Sequence, residues 1–324
     1  MTEGQPISER YGITIPFEGV PLPEQRAWFE EAERLGYTDF WSAEAGGHDA
    51  FTPLACAAIW TPSVRLGTAV VPAYTRGAAT LAQTVASMAQ LAPGRFALGI
   101  GTSSETIVHG WNGIEFDRPY QRVRDTIRFL HDSLSGEKVT HDYETFSVRG
   151  FRLAIPVSEM PPILVGALRP GMLRLGGTLG DGAIVNWLSA ADVAKVVPYV
   201  GGKEVVARIF VLPSTDLDLV RFVGKRSIAA YLTVPAYAEF HRWLGRADAL
   251  DGMWKAWEAG DRRAATEAIP DSLVDELIVH GTPQECRDRI REYVDRGVTT
   301  PAPLVLATGD DALAGMRSLA PTAG

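Results

Sequence analysis

Eight short apolar runs recur along the chain: Gly12–Ile15, Thr38–Trp41, Val64–Val71, Phe96–Ile100, Ile163–Val165, Ala183–Val185, Val205–Leu212 and Pro303–Leu306. Longer amphipathic segments separate them. Short buried runs alternating with helical patterns mark repeated βα units around a parallel sheet. Eight such strands in 324 residues predict a closed α/β (β/α)8 TIM barrel rather than an open doubly wound sheet. The chain, 1–324, reads as one barrel domain, and its 46% hydrophobic content supplies a large core.

The helices are marked by period. Tyr120, Val123, Ile127, Leu130 and Leu134 form one stripe, with Arg122, Arg124, Asp125 and Arg128 expected in solvent. Leu81, Val85, Met88 and Ala89 repeat the pattern before Pro93-Gly94, and Pro283 opens a helix carrying Cys286, Ile290 and Val294. Two segments exceed a minimal barrel. Residues 138–153 alternate as two short strands and predict a hairpin, and 231–278, rich in Trp and Ala, predicts extra helices between the seventh strand and its closing helix.

Composition excludes several classes. A formal net charge of −8 with scattered Lys and Arg argues against nucleic acid as a partner. No run approaches the roughly 18 apolar residues of a membrane span, and MTEGQPISER lacks the pattern of a signal peptide, so the expected location is cytoplasmic with no membrane partner. Cys56 and Cys286 lie in apolar helical patterns and read as small hydrophobes, and the histidines show no metal-ligand spacing.

The third run is the informative one. In LGTAVVPAYTRG (residues 66–77) an apolar strand passes directly into Pro, Tyr, Thr, Arg and Gly instead of a tight turn. Barrel chemistry sits at the C-terminal strand ends, so this polar tail is expected to face a pocket. Other exits agree: WSAEAGGHDAFTP follows the second strand, GIGTSSETIVHGWNG the fourth, VGALRPG the fifth and VNWLS the sixth. They combine small residues with a few polar groups.

These blocks in order, together with RPYQRVRDTIRFL and GTLGDGAIVNW, resemble the bacterial luciferase-like flavin and deazaflavin oxidoreductases, and are most similar to the coenzyme F420-dependent branch. The resemblance runs from Gly12 to Leu306. It implies a non-prolyl cis peptide at Ala69–Val70 that, with Thr68, backs the cofactor ring; the alternative is an ordinary trans strand that merely precedes Pro72. It further implies a phosphate loop at Gly166, Ala167, Leu168 and Arg169, where the helix start offers free N–H groups to an anion. Arg169 either pairs with that phosphate or is a solvated helix-start residue. Thr102, Ser103 and Ser104 match the loop approaching the heterocycle, or are ordinary turn residues. Asn186 and Trp187 match another cofactor-facing position, with Trp187 either a pocket wall or core.

For proton transfer the candidates are Glu44, His48 and His109. Glu44 stands where the sugar-phosphate and alcohol dehydrogenases of the family carry an Asp, but the His that follows there is Ala45 here, which argues against those substrates. Glu44 is then an acid or base, or a member of a structural ion pair. The function implied is F420-dependent hydride transfer between the deazaflavin C5 and a small organic substrate, by a homodimer. The alternatives are a reduced-FMN monooxygenase and a non-catalytic cofactor-binding homologue.

Overall fold

Each apolar run forms a strand in the computed structural model, which describes residues 9–321. The strands are β1 (Gly12–Ile15), β2 (Asp39–Ser42), β3 (Arg65–Thr68), β4 (Phe96–Gly101), β5 (Ile163–Gly166), β6 (Gly182–Asn186), β7 (Glu204–Leu212) and β8 (Thr300–Val305). Parallel ladders join them in that order. Strand β8 packs beside β1, so the sheet curls on itself as a (β/α)8 barrel. The third run is interrupted after Thr68 and resumes pairing at Val71–Pro72 against Ile100 and Gly101.

Helices follow the strands: α1 (Arg26–Arg34), α2 (Phe51–Trp60), α3 (Ala78–Leu91), α4 (Pro119–Leu134), α5 (Pro170–Thr178) and α6 (Ala190–Val196). After β7 come α7 (Leu217–Leu232), α8 (Pro235–Leu244), α9 (Ala247–Glu258), α10 (Arg262–Glu267) and α11 (Asp271–Leu277), before α12 (Pro283–Asp295) closes that unit. Helix α13 (Gly309–Ser318) follows β8. The helical insertion starts at Leu217, earlier than the expected Tyr231, because Asp216 caps α7 by accepting from the Asp218 and Leu219 amides. The last residue of the expected insertion, Ile278, is not helical but opens a short strand, Ile278–His280, on β7.

The expected hairpin is present as Val139–Asp142 paired antiparallel with Ser147–Phe151. It folds over α4 and removes Asp125 from the solvent where its charge suggested it would lie. The buried Asp125 carboxylate accepts from the Thr145 amide at 3.0 Å and from its hydroxyl at 3.1 Å. Arg122 is drawn in as well, its guanidinium over the Tyr74 and Phe146 rings.

Inside the barrel, Trp41, Ala97, Leu164, Ile184, Val206 and Ala302 pack together. Trp41 fits only because β3 has Gly67 opposite, where a Cβ would stand 2.1 Å from the indole. Beneath this layer the N-terminal end is closed by ions. Arg65 donates to Asp39 and to Glu204, and the Thr300 hydroxyl donates to Glu204 at 2.8 Å. Burial alone would raise the Glu204 carboxyl, but the Arg65 hydrogen bonds and charge hold it below its ordinary range. No helix among the described residues is long and apolar enough to cross a membrane.

Candidate active site

The exits of β2 to β7 build one face at the C-terminal end of the barrel. Thr68, the last residue of β3, is buried and spent on structure: its hydroxyl donates to the Gly99 carbonyl and accepts from the Gly99 amide, both at 2.8 Å. The Ala69–Val70 bond beyond it is cis. The Ala69 amide donates to Ser42 at 2.7 Å and the Val70 carbonyl accepts from the Glu44 amide at 3.3 Å, so the segment is tied to the exit of β2. The Val70 side chain enters a notch left by two glycines. A Cβ on Gly101 would meet it at 2.8 Å and one on Gly166 at 3.1 Å.

The loop after β4 holds Thr102, Ser103 and Ser104, all half-buried. Ser103 takes a left-handed backbone with φ 61°, a conformation uncommon outside glycine and concentrated at functional sites. Ser104 accepts from the amides of Ile107 and Val108 and so starts a π-helical turn, Thr106–Trp111. His109 lies on that turn and His48 in the loop after β2; both are exposed. The two segments meet where Gly46 faces the Trp111 ring, which is itself 59% exposed.

The loop after β5 runs from Gly166 through Ala167, Leu168 and Arg169 into α5. Ala167 is buried and its amide is used by Ile184. Helix α5 begins Pro170-Gly171 with no side-chain cap and open space beside Gly171, so its first-turn N–H groups are available to an anion. Arg169 is half exposed and lies 3.8 Å from Glu239 of α8.

At the exit of β6, the Tyr237 hydroxyl bridges the Asn186 amide, accepting from Nδ2 at 2.9 Å and donating to Oδ1 at 3.2 Å. Burial pushes the Tyr237 phenol up to about 12. Trp187 also takes a left-handed backbone, φ 53°, and its buried indole stacks on Phe210 of β7 at 3.9 Å. That ring lies under the inserted helices, among Phe210, Ile228 and Leu232. Trp187 is therefore a core residue that braces Phe210 from beneath the inserted helices.

Glu44 is engaged. One of its oxygens lies 2.6 Å from Arg76 Nη1, the Thr75 hydroxyl donates to the carboxylate at 3.2 Å, and the Ala50 amide reaches it at 3.4 Å. Glu44 and Arg76 are both mostly buried. The structure thus brings Glu44 and the 69–70 segment together through backbone and ion pair, and joins 69–70 to 101 and 166 through Val70. His48 and His109 stay at the rim. Residues the sequence reading left without a role are Arg76, Trp111, Tyr237 and Arg208. A lone charge inside the apolar run VVARIFVL was the available signal for Arg208. Among the described residues, no three His, Cys, Asp or Glu side chains come together as a metal site.

The arrangement offers a flat wall at 69–70, an anion-accepting helix start at α5 and a polar pair at Asn186–Tyr237, which suits a planar heterocycle carrying a phosphate. The chain has similar sequences and folds among known proteins. The chain is 28% identical over 282 residues to 5,10-methylenetetrahydromethanopterin reductase of Methanolobus tindarius, covering 83% of this chain and 86% of that protein. It is 26% identical to a putative coenzyme F420-dependent oxidoreductase of Mycobacterium tuberculosis, with 90% and 93% covered. The fold superposes on coenzyme F420-dependent tetrahydromethanopterin reductase from Methanopyrus kandleri with a TM-score of 0.78 at 18% identity, over 96% of this chain and 97% of that one. Residues 7–300 match the family described as luciferase-like monooxygenase, and the chain belongs to that family.

Proposed function

We propose that this protein is a coenzyme F420-dependent oxidoreductase that transfers hydride between the deazaflavin and a small organic substrate. The observation that carries the reading is the joint construction of the wall and the anion site: the 69–70 segment packs through Val70 against Gly101 and Gly166, and Gly166 leads directly into the uncapped start of α5. When bound, the deazaflavin supplies a two-electron hydride carrier. The chain's own residues orient it: 69–70 backs the ring, Thr102 to Ser104 and Asn186 line its polar edges, and the 166–171 segment holds the phosphate. Relatives whose names carry F420 support this cofactor over FMN.

Glu44 is assigned a positioning role in this reading, since its carboxylate is taken up by Arg76, Thr75 and Ala50. His48 and His109 are the free rim groups that can relay a proton. The second reading, a reduced-FMN monooxygenase, is favoured by the family's description. We also read the chain as a homodimer. Ile59 on α2 and Leu91 on the neighbouring α3 are 73% and 40% exposed, and sedimentation as a monomer at micromolar concentration would contradict this.

The test is a turnover screen over ketones, enones and imines with reduced F420, run beside reduced FMN with oxygen. We expect reappearance of oxidised deazaflavin absorbance without oxygen uptake. Substrate-dependent oxygen uptake with FMN alone would support the monooxygenase instead.

A further inference from the structure

The barrel interior holds two guanidinium groups in different circumstances. At the N-terminal end Arg65 is neutralised by Asp39 and by Glu204, the first residue of β7. Four residues along β7, on the same inward face, is Arg208. Its Nε is buried and finds no hydrogen-bond partner. No carboxylate pairs with it among the described residues. Its registered neighbours are Asn186 on β6 and Ala302 on β8, and its guanidinium lies 5.4 Å from the Phe210 ring centroid. The Tyr237 phenol, the other polar group it influences, is neutral.

Arg208 is half-buried as a whole, but its Nε is a buried donor with no partner, and leaving such a donor unpaired is costly. The same barrel pairs Arg65 twice, so this scaffold readily supplies carboxylates where the role is structural. No described residue supplies a counter-charge to Arg208, which leaves this donor edge for a ligand in the mouth. Arg208 stands on β7, across the barrel from the 69–70 wall on β3, and so faces the space in front of that wall. The side-on edge of a guanidinium, Nε with one Nη, matches a carboxylate by two parallel hydrogen bonds. Beside it Phe210, buried and stacked on Trp187, packs against the guanidinium and fixes its position.

We propose that Arg208 is the specificity-determining residue for a substrate carrying a carboxylate group, bound at the barrel mouth. The assignment of this ligand as substrate rests on the oxidoreductase reading above; the carboxylate site itself does not.

The test uses the full-length protein without cofactor and two matched probes, benzoate and its neutral analogue benzamide. Binding is followed by calorimetry and by the Arg Nε–H NMR signal missing from Arg208→Lys. We expect saturable benzoate binding that shifts this signal and is at least about tenfold tighter than benzamide, as loss of a charge-assisted bond implies. Arg208→Met, checked for native melting, should lose that discrimination, and Arg208→Lys should recover only part of it. Equal affinity for the two probes, or benzoate binding unchanged in Arg208→Met, overturns the proposal. A parallel F420 titration separates the claims. Benzoate that competes with F420, together with weakened F420 binding in Arg208→Met, would assign Arg208 to the cofactor and overturn the substrate role. Benzoate discrimination in a protein that binds no F420 leaves the carboxylate site standing and removes the oxidoreductase reading.

Discussion

Arg76 Nη1 lies 2.6 Å from a Glu44 carboxylate oxygen, so the loops leaving β2 and β3 are pinned together at the rim of the barrel. Both partners are mostly buried, which lifts the pair above the small value of surface salt bridges, and the Glu44 amide also holds the Val70 carbonyl. Replacing Glu44 by Gln should therefore act like replacing Arg76 by Gln. We expect each to destabilise by about 1–3 kcal/mol, with a coupling of about 1 kcal/mol or more in the double-mutant cycle. Denaturant unfolding of the four proteins measures this. A fall in turnover of about 10²-fold or more in Glu44→Gln, with Arg76→Gln fully active, would return Glu44 to acid–base duty.

The Val70 notch gives a second expectation. A methyl at Gly101 would stand 2.8 Å from a Val70 methyl carbon, and overpacking of this kind costs about 1–3 kcal/mol. The Gly101→Ala protein should bind the cofactor more weakly than wild type. Shortening the obstruction with Val70→Ala in the same chain should recover part of the loss, as read by titration and melting temperature. Identical cofactor affinity in Gly101→Ala and wild type would separate Val70 from the binding wall.

The ionic layer below is expected to matter for stability alone. Glu204→Gln leaves Arg65 with reduced compensation in a buried setting, which should cost about 3–5 kcal/mol. Cofactor affinity, measured where the variant is folded, should stay near wild type, because this layer lies at the opposite end of the barrel from the strand exits.

His241 sets a pH dependence. Burial, with the nearby Arg246 charge, pushes its imidazole down from 6.5 to about 4. The unfolded chain takes up this proton below pH 6.5 and the folded chain does not until about pH 4. This term therefore removes stability as pH falls through that window, by on the order of 3 kcal/mol. Denaturant unfolding at pH 7.5 and pH 5 should show a smaller acid loss for His241→Met than for wild type. Equal losses would show that His241 titrates normally.

Much of the fold was legible because barrel strands are local signals. All eight apolar runs became strands, but the break in the third lies at 69–70, inside a run that reads as continuous from Val64 to Val71, and only the family resemblance pointed to it. The expected site residues lie at the strand exits for the same reason. What stayed illegible depends on contacts between distant segments. Asp125 reads as a solvent charge on α4 until the hairpin residue Thr145 closes over it. Glu44 and Arg76 are each unremarkable in a loop, and only the register of β2 on β3 joins them. Trp187 looks equally like pocket or core, and the inserted helices decide it by covering the indole. Arg208 was visible as a charge in an apolar run, but its lack of a counter-ion is a property of the assembled barrel.

The central claim is that the mouth of this barrel is built for a deazaflavin, and parallel fluorescence titrations with F420 and FMN test it most directly. The account expects saturable F420 binding at least about tenfold tighter than FMN, a difference of about 1.4 kcal/mol, weakened by Gly101→Ala and unaffected by benzoate. Tighter binding of FMN, or no binding of either, would contradict it.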